Sequence, residues 1–259
     1  MDIESIPGVL ACDVGNHAIH LACVKGDEVT PMRTVRVGEL SGLGSVLAAL
    51  WREIPPPRKL AACSVNPAAL KALEAAAAEA TGEGVLVVGR DLPSPIDTSL
   101  HNPSATGTDR LCAAAAAFDR LGVACVVADI GTAITIDYVN NEGIFQGGAI
   151  LPGLDMSARS LQEGTAQLPR VELAAPAAAC GKDTRQAILS GLVYGARGAL
   201  RELVEAYATE LGHWPVVILT GGDAALVAGD VNSSSLVQSI VPDLVLRGVA
   251  AAYYRTLLK

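Results

Sequence analysis

The same short pattern occurs twice in this chain, and it narrows the possible folds more than any other feature. Gly8–Cys12 is an apolar run that stops at Asp13-Val14-Gly15-Asn16, after which Ile19, Leu21 and Cys23 alternate with His20, Ala22 and Val24. Far along the chain, the apolar run Val126–Ala128 stops at Asp129-Ile130-Gly131-Thr132, and Ile134, Ile136 and Tyr138 alternate with Thr135, Asp137 and Val139. An apolar run that breaks at acid-x-Gly-polar and resumes with period two predicts strand, tight turn, strand. Each copy then reaches a hairpin turn, at Gly26-Asp27 and at Glu142-Gly143. Two such copies predict duplicated domains, with a pair of unrelated hairpins as the plainer alternative. A carboxylate at a strand end beside a glycine, which leaves room for close approach, can hold a phosphate and its cation.

Between the copies, strands and helices alternate. Leu43–Trp51 reads as a helix closed by Ile54-Pro55-Pro56-Pro57. Lys59–Val65, Pro67–Ala80 and Val85–Val88 read as strand, Ala-rich helix and strand, so the sheet has parallel members. Arg90–Thr108 is a long loop without periodicity, a kind of segment that often carries function. It ends in Gly107-Thr108-Asp109-Arg110, and a helix over Leu111–Leu121 follows. Capping alone explains Thr108 or Asp109 at a helix start. Arg110 opposes the helix dipole there, and a base beside an anion-binder would suit phosphoryl transfer to a hydroxyl.

Past Gly147-Gly148 and Pro152-Gly153, the reading continues with a helix over Asp155–Gln162, a tight turn at Cys180–Thr184 and a long helix from Arg185 to Leu211. Gly191, Gly195 and Gly198 cost that helix stability, so they call for close packing against another backbone. A strand over Val216–Leu219 ends in Thr220-Gly221-Gly222, and Leu244–Leu258 closes the chain as a helix. The fold expected is α/β, with mixed sheets flanked by helices in two domains, 1–115 and 116–259.

Composition excludes several functions. A net charge of -8 with no basic run argues against nucleic-acid binding. No uninterrupted apolar stretch approaches the ~20 residues of a membrane span. The first dozen residues carry two acids and no Lys or Arg, unlike a signal peptide, so a cytoplasmic protein is expected. The six cysteines are scattered without a C-x-x-C pair and lie mostly among Ala and Val, which predicts buried thiols rather than zinc ligands or disulfides.

Taken together, Asp13-Val14-Gly15-Asn16, Asn102-Pro103 leading to Gly107-Thr108-Asp109-Arg110, Asp129-x-Gly-Thr-Ala-x-Thr-x-Asp137, Gly147-Gly148-x-Ile150-x-Pro152-Gly153, Gly181-Lys182-Asp183-Thr184 and Thr220-Gly221-Gly222 resemble the type III pantothenate kinases, in the order seen there. The resemblance runs over residues 9–255. It implies two duplicated ribonuclease-H-like halves of the acetate and sugar kinase, Hsp70 and actin superfamily (actin-like ATPase domains), with the nucleotide in the cleft between them. It also implies phosphorylation of pantothenate by ATP to 4'-phosphopantothenate, the first step of coenzyme A biosynthesis, by a homodimer needing Mg²⁺ and a monovalent cation, K⁺ or NH₄⁺. On matching positions, Asp109 resembles the general base, with Leu100, Gly107, Thr108, Arg110 and Thr184 around the substrate. Asp13, Val14, Gly15, Asn16, His17 and Thr132 would meet ATP, and Asp129 resembles the cation ligand.

Two positions depart from the family pattern. His17 stands where the first motif has threonine, and Leu100 stands where a tyrosine commonly meets the substrate. An imidazole is larger than a hydroxyl and partly charged near neutral pH, so its hold on phosphate differs. A weakened relative that acts as a regulatory or ligand-binding protein is the alternative. The absence of Gly-x-x-x-x-Gly-Lys-Ser/Thr removes the P-loop kinases.

Overall fold

A computed structural model describes residues 6–229 and 236–258; residues 1–5 of the N-terminal segment considered above lie outside them. Contacts group the chain into two units, Met1–Arg120 with Asp243–Lys259, and Leu121–Pro242. The last segment therefore joins the first unit, whereas the sequence reading kept 116–259 together.

The first unit is built on β1 (Gly8–Val14), β2 (Ala18–Lys25), β3 (Glu28–Val29), β4 (Arg33–Arg36), α1 (Leu43–Glu53), β5 (Arg58–Ser64), α2 (Pro67–Thr81), β6 (Val85–Val87), a short β7 (Asp97–Thr98) and α3 (Thr108–Leu121). Its sheet runs β3-β2-β1-β5-β6, with β4 also on β2. β1 is antiparallel to β2 and parallel to β5, and β5 is parallel to β6. Alternation along β1 decides what each face buries. Leu10, Cys12 and Val14 join Leu43, Leu47, Leu50 and Trp51 of α1 and Leu73 and Ala77 of α2 in one apolar cluster. The α1 residues recur at helical spacing, so one stripe meets the sheet. Asp13, odd-numbered, points to the other face.

The termini of α2 follow local chemistry. Asn66 accepts from the Ala69 N–H at 3.0 Å, Pro67 occupies the first turn, and Gly82 closes the helix in the left-handed region.

The second unit repeats the plan with β8 (Cys125–Ile130), β9 (Ala133–Val139), β10 (Ile144–Pro152), α4 (Leu154–Glu163), α5 (Thr184–Leu211), β11 (Val216–Thr220), α6 (Ala224–Ala228) and β12 (Ser239–Ile240). Its strands run β12-β11-β8-β9-β10. β8 is antiparallel to β9 and parallel to β11, and β11 is parallel to β12. This is the connectivity of β1, β2, β5 and β6, so the duplication read from eight residues extends to whole sheets. The hairpin turns match as well, with Gly26 and Gly143 both at positive φ, 58° and 73°. Val126, Ala128, Ile130, Ile134 and Ile136 pack on Val193, Leu200 and Val204 of α5.

The closing helix α7 (Leu244–Tyr254) is shorter than expected. It packs in the first unit, where Gly248 lies against the Cys112 backbone so closely that a Cβ would overlap the carbonyl. Five cysteines are buried and Cys180 is exposed, all unpaired. Among the described residues no helix is long and apolar enough to cross a membrane.

Candidate active site

In the first unit, β1 carries Asp13 and Val14 to its C-terminal end and then turns at once. The Gly15 N–H donates to the Ala18 carbonyl at 3.0 Å, which makes the turn tight and leaves Asn16 and His17 exposed at its tip. A Cβ on Gly15 would sit 3.2 Å from that carbonyl, so a larger residue would loosen the loop. The His17 carbonyl accepts from the Val37 N–H at 2.9 Å, which leaves the backbone fixed and the imidazole at the surface. Asp13 itself is half-buried.

The helix α3 starts beside this loop's strand neighbour, β5. Thr108 is bolted to Ser64: its hydroxyl accepts from the Ser64 N–H at 3.2 Å and donates to the Ser64 carbonyl at 3.4 Å. This commits the Thr108 side chain to holding the helix start. The Gly107 carbonyl accepts the first helical bond, from Leu111. A Cβ on Gly107 would collide with the Asp109 carboxylate, so glycine lets that carboxylate fold back over the helix start. Asp109 accepts from the Arg110 N–H at 2.8 Å. Burial pushes the Asp109 carboxyl above its ordinary value, against the opposing pull of the Arg110 N–H and the Arg110 charge. The result is a half-buried carboxylate, anchored through one oxygen and more basic than an exposed aspartate. Leu100, half-buried, lies in the loop before this helix, its N–H donating to Thr98 Oγ1 at 3.2 Å.

In the second unit, Asp129 is the last residue but one of β8, and Thr132 stands exposed in the following turn. Glycines press on this turn from two sides. Gly153 donates its N–H to the Thr132 carbonyl at 3.1 Å, and a Cβ there would overlap the Gly131 and Thr132 carbonyls. Gly221, at φ 92°, has room for no Cβ because the Asp129 carboxylate and the Ile130 carbonyl occupy that space. The Asp223 N–H then donates to the Ile130 carbonyl at 3.0 Å. Both glycine motifs of the sequence thus serve one loop. Register sets Thr135 and Thr220 on either side of Asp129, one on each neighbouring strand. Asp137, two residues on along β9, is 2% exposed, and Thr220 is 1% exposed. Sequence reading quoted these three within motifs without assigning them a place at the site, since their adjacency to Asp129 depends on register.

Thr184 opens α5 at the surface, next to the cap made by Asp183, whose carboxylate accepts from the Gln186 N–H at 2.8 Å. The glycines of α5 meet no neighbour: nothing lies within 4 Å of a Cβ built on Gly191, Gly195 or Gly198. The close packing expected from the sequence is therefore not supplied by the described residues of this chain.

The donor sets fit the implied ions. Among the described residues no group of three or more His, Cys, Asp or Glu is placed to hold a metal, and Mg²⁺ commonly enters kinase sites through one or two carboxylates plus the phosphates themselves. Asp13, a carboxylate near a strand end beside a glycine turn, fits that demand, and Asp129, placed alike in its own unit, offers one carboxylate to a monovalent cation.

Two halves of the same connectivity, each with an acid-glycine turn, make up the duplicated ribonuclease-H-like fold of the actin-like class. Comparison with solved structures agrees on the fold. The chain is similar to component A of (R)-2-hydroxyglutaryl-CoA dehydratase from Acidaminococcus fermentans, with a TM-score of 0.52 at 18% identity over 98% of this chain and 100% of that one. It is also similar to the ethanolamine utilization protein EutJ from Carboxydothermus hydrogenoformans, with a TM-score of 0.53 at 15% identity over 95% and 89%. The family profile described as type III pantothenate kinase matches residues 9–206. A type III pantothenate kinase of Dehalococcoides mccartyi is 33% identical over 95% of this chain and 96% of its own. Those of Syntrophotalea carbinolica and Legionella pneumophila are 38% identical over 74% of each chain, and 33% identical over 94% of this chain and 97% of that one. The chain belongs to the type III pantothenate kinase family.

Proposed function

We propose that the chain transfers the γ-phosphoryl group of ATP to the primary hydroxyl of pantothenate, with Asp109 as the base. The observation that carries the assignment is the Asp109 carboxylate, held at the start of α3 with its basicity raised by burial. The alcohol oxygen forms its bond to the γ-phosphorus as the bond from that phosphorus to the bridging oxygen breaks. ADP departs, and the hydroxyl proton passes to Asp109. A carboxylate is too weak a base to strip an alcohol in advance, so the proton moves late, as the new bond forms. Phosphoryl transfer of this kind depends on positioning and charge neutralisation more than on covalent help.

Asp13, Val14, Gly15, Asn16 and His17 form the first phosphate loop and Thr132 belongs to the second, offering backbone N–H groups and a hydroxyl. Gly107, Thr108 and Arg110 line the substrate with Leu100 and Thr184; Thr108 contributes backbone, its hydroxyl being engaged with Ser64. Asp129 holds the monovalent cation, K⁺ or NH₄⁺. Asp13 would hold Mg²⁺, which would supply neutralisation of phosphate charge. The protein works in the cytoplasm.

The test is a coupled assay. Purified protein with Mg-ATP, K⁺ and pantothenate releases ADP in step with phosphopantothenate; no turnover at millimolar ATP would sink the reading.

At His17 the exposed imidazole replaces a smaller hydroxyl at the tip of the first loop. His17→Thr is expected to lower the KM for ATP severalfold with kcat little changed. An unchanged or higher KM would show that the imidazole is no hindrance.

A homodimer is the remaining part of the proposal. Three glycines inside α5 cost about 1 kcal/mol each relative to alanine, and with Tyr194, 42% exposed, they form an outward face unmatched by the described residues of this chain. A second copy packed there gives the glycines their use. Sedimentation of the wild type should give twice the chain mass and Gly195→Arg a single chain mass; a variant that stays dimeric would move the interface elsewhere.

A further inference from the structure

The end of β5 meets both candidate acidic groups of the first unit. Cys63 is paired in register with Asp13 and is 0% exposed. Its thiol donates to Asp13 Oδ1 at 3.4 Å. The same sulfur shares a hydrogen bond with Cys112 of α3, one helical turn beyond Asp109, and feels the negative charge of Asp13 and Asp109 alike. The next residue, Ser64, holds Thr108 through both backbone groups. Two adjacent residues of one strand thus tie the first phosphate loop to the first turn of the helix that carries the base.

The duplication supplies an independent argument. In the second unit the acid near the end of the first strand, Asp129, is flanked in register by Thr135 and Thr220. In the first unit Asp13 is flanked by His20 and Cys63. Cys63 therefore occupies the place of Thr220, and both are buried small side chains with a proton to donate. A cysteine in an apolar strand usually serves as a small hydrophobe, yet here its neighbours on that face include two carboxylates.

We propose that Cys63 is a positioning residue for phosphoryl transfer: its thiol fixes the rotamer of Asp13 and, through Cys112, the offset between Asp13 and the first turn of α3. With the thiol in place one oxygen of the Asp13 carboxylate has a donor fixed on β5. Without it that donor is lost, and with it one tie between the loop and α3.

This inference rests on the kinase reading, so the experiment separates the two. Binding of Mg-ATP is measured by calorimetry, and turnover with pantothenate by ADP release, for wild type, Cys63→Ala, Cys63→Val and Cys63→Ser, with melting temperatures alongside. The expected result for Cys63→Ala is about a tenfold rise in both the Kd and the KM for ATP, the size of a hydrogen bond to a charged group, with a smaller fall in kcat. Cys63→Val, which fills the space without a donor, should behave the same, whereas Cys63→Ser should return both constants to within about twofold. If Cys63→Ala and Cys63→Val melt lower but bind and turn over ATP as the wild type does, the cysteine is core packing and the proposal falls. If serine fails to rescue, the donor role falls. A wild type that binds ATP without turning over pantothenate removes the kinase reading and leaves the proposal to be judged on Kd alone; a wild type that binds no ATP overturns both.

Discussion

Asp109→Asn is expected to lower kcat by about 10²–10⁴-fold, the usual contribution of a positioned general base, while leaving the KM for ATP close to its wild-type value. Asn keeps the volume and can still accept from the Arg110 N–H, so the start of α3 keeps its shape. What it loses is the place for the proton. The stability readout runs the opposite way. Burial raises the Asp109 pKa in the folded protein, so between its unfolded value and that raised value the folded state binds more protons than the unfolded. Its contribution to stability therefore falls as pH rises through that window and stays lost above it. The variant should accordingly melt no lower than wild type at neutral pH. Activity has the complementary pH dependence. The base must be ionised, so the acid limb of kcat/KM lies above the ordinary aspartate range of about 3.9 and corresponds to a single proton. A variant that keeps wild-type turnover would take Asp109 out of the mechanism, and an acid limb of kcat/KM at or below the ordinary value would show that the base of the free enzyme is not a carboxyl raised by burial.

Much of the fold is legible in the sequence because its units are local. The period-two runs at 18–25 and 133–139 mark strands, and Pro67 and Gly82 bracket α2 through cap chemistry that needs no distant partner. What could not be read depends on contacts between remote residues. α6 and β12 are five and two residues long, too short to show a period. The return of α7 to the first unit turns on Gly248 lying against Cys112, a meeting that neither neighbourhood announces. The same division holds for the candidate site. Asp13, Asp109 and Asp129 stand out because acids at the ends of apolar strands and at a helix start are conspicuous. Cys63 does not stand out, for in sequence it is one more small residue in Leu60-Ala61-Ala62-Cys63, and its closeness to Asp13 comes from register alone. Thr108 shows the converse: its type invites a substrate contact or a cap, and its hydroxyl is spent on Ser64. The glycines of α5 were legible as an anomaly, though their neighbour is not among the described residues of this chain.

Gly221→Ala should be the most damaging change of a single methyl group in the second unit, in stability and activity together. The residue sits at φ 92°, where an L side chain costs roughly 1–3 kcal/mol. Its added Cβ has nowhere to go, because one neighbour is the Asp129 carboxylate and the other is the Ile130 carbonyl. That carbonyl is already fixed by the Asp223 N–H at 3.0 Å, and it belongs to a strand held on both sides, by β9 and β11. Backbone so held cannot yield, so the Asp129 side chain must. Displacing it moves the candidate cation ligand and should raise the K⁺ concentration for half-maximal activity at least tenfold, along with a lower melting temperature. Two controls separate the causes. Gly222→Ala, one residue on with open space around it, should change little in either measurement. Asp129→Asn, which keeps the shape and removes the charge, should lose the K⁺ response without the large drop in melting temperature. If Gly221→Ala melts early but responds to K⁺ as wild type does, the glycine serves folding only. If Asp129→Asn also keeps its K⁺ response, Asp129 is not the cation ligand and the glycine cradle around it has some other charge to serve.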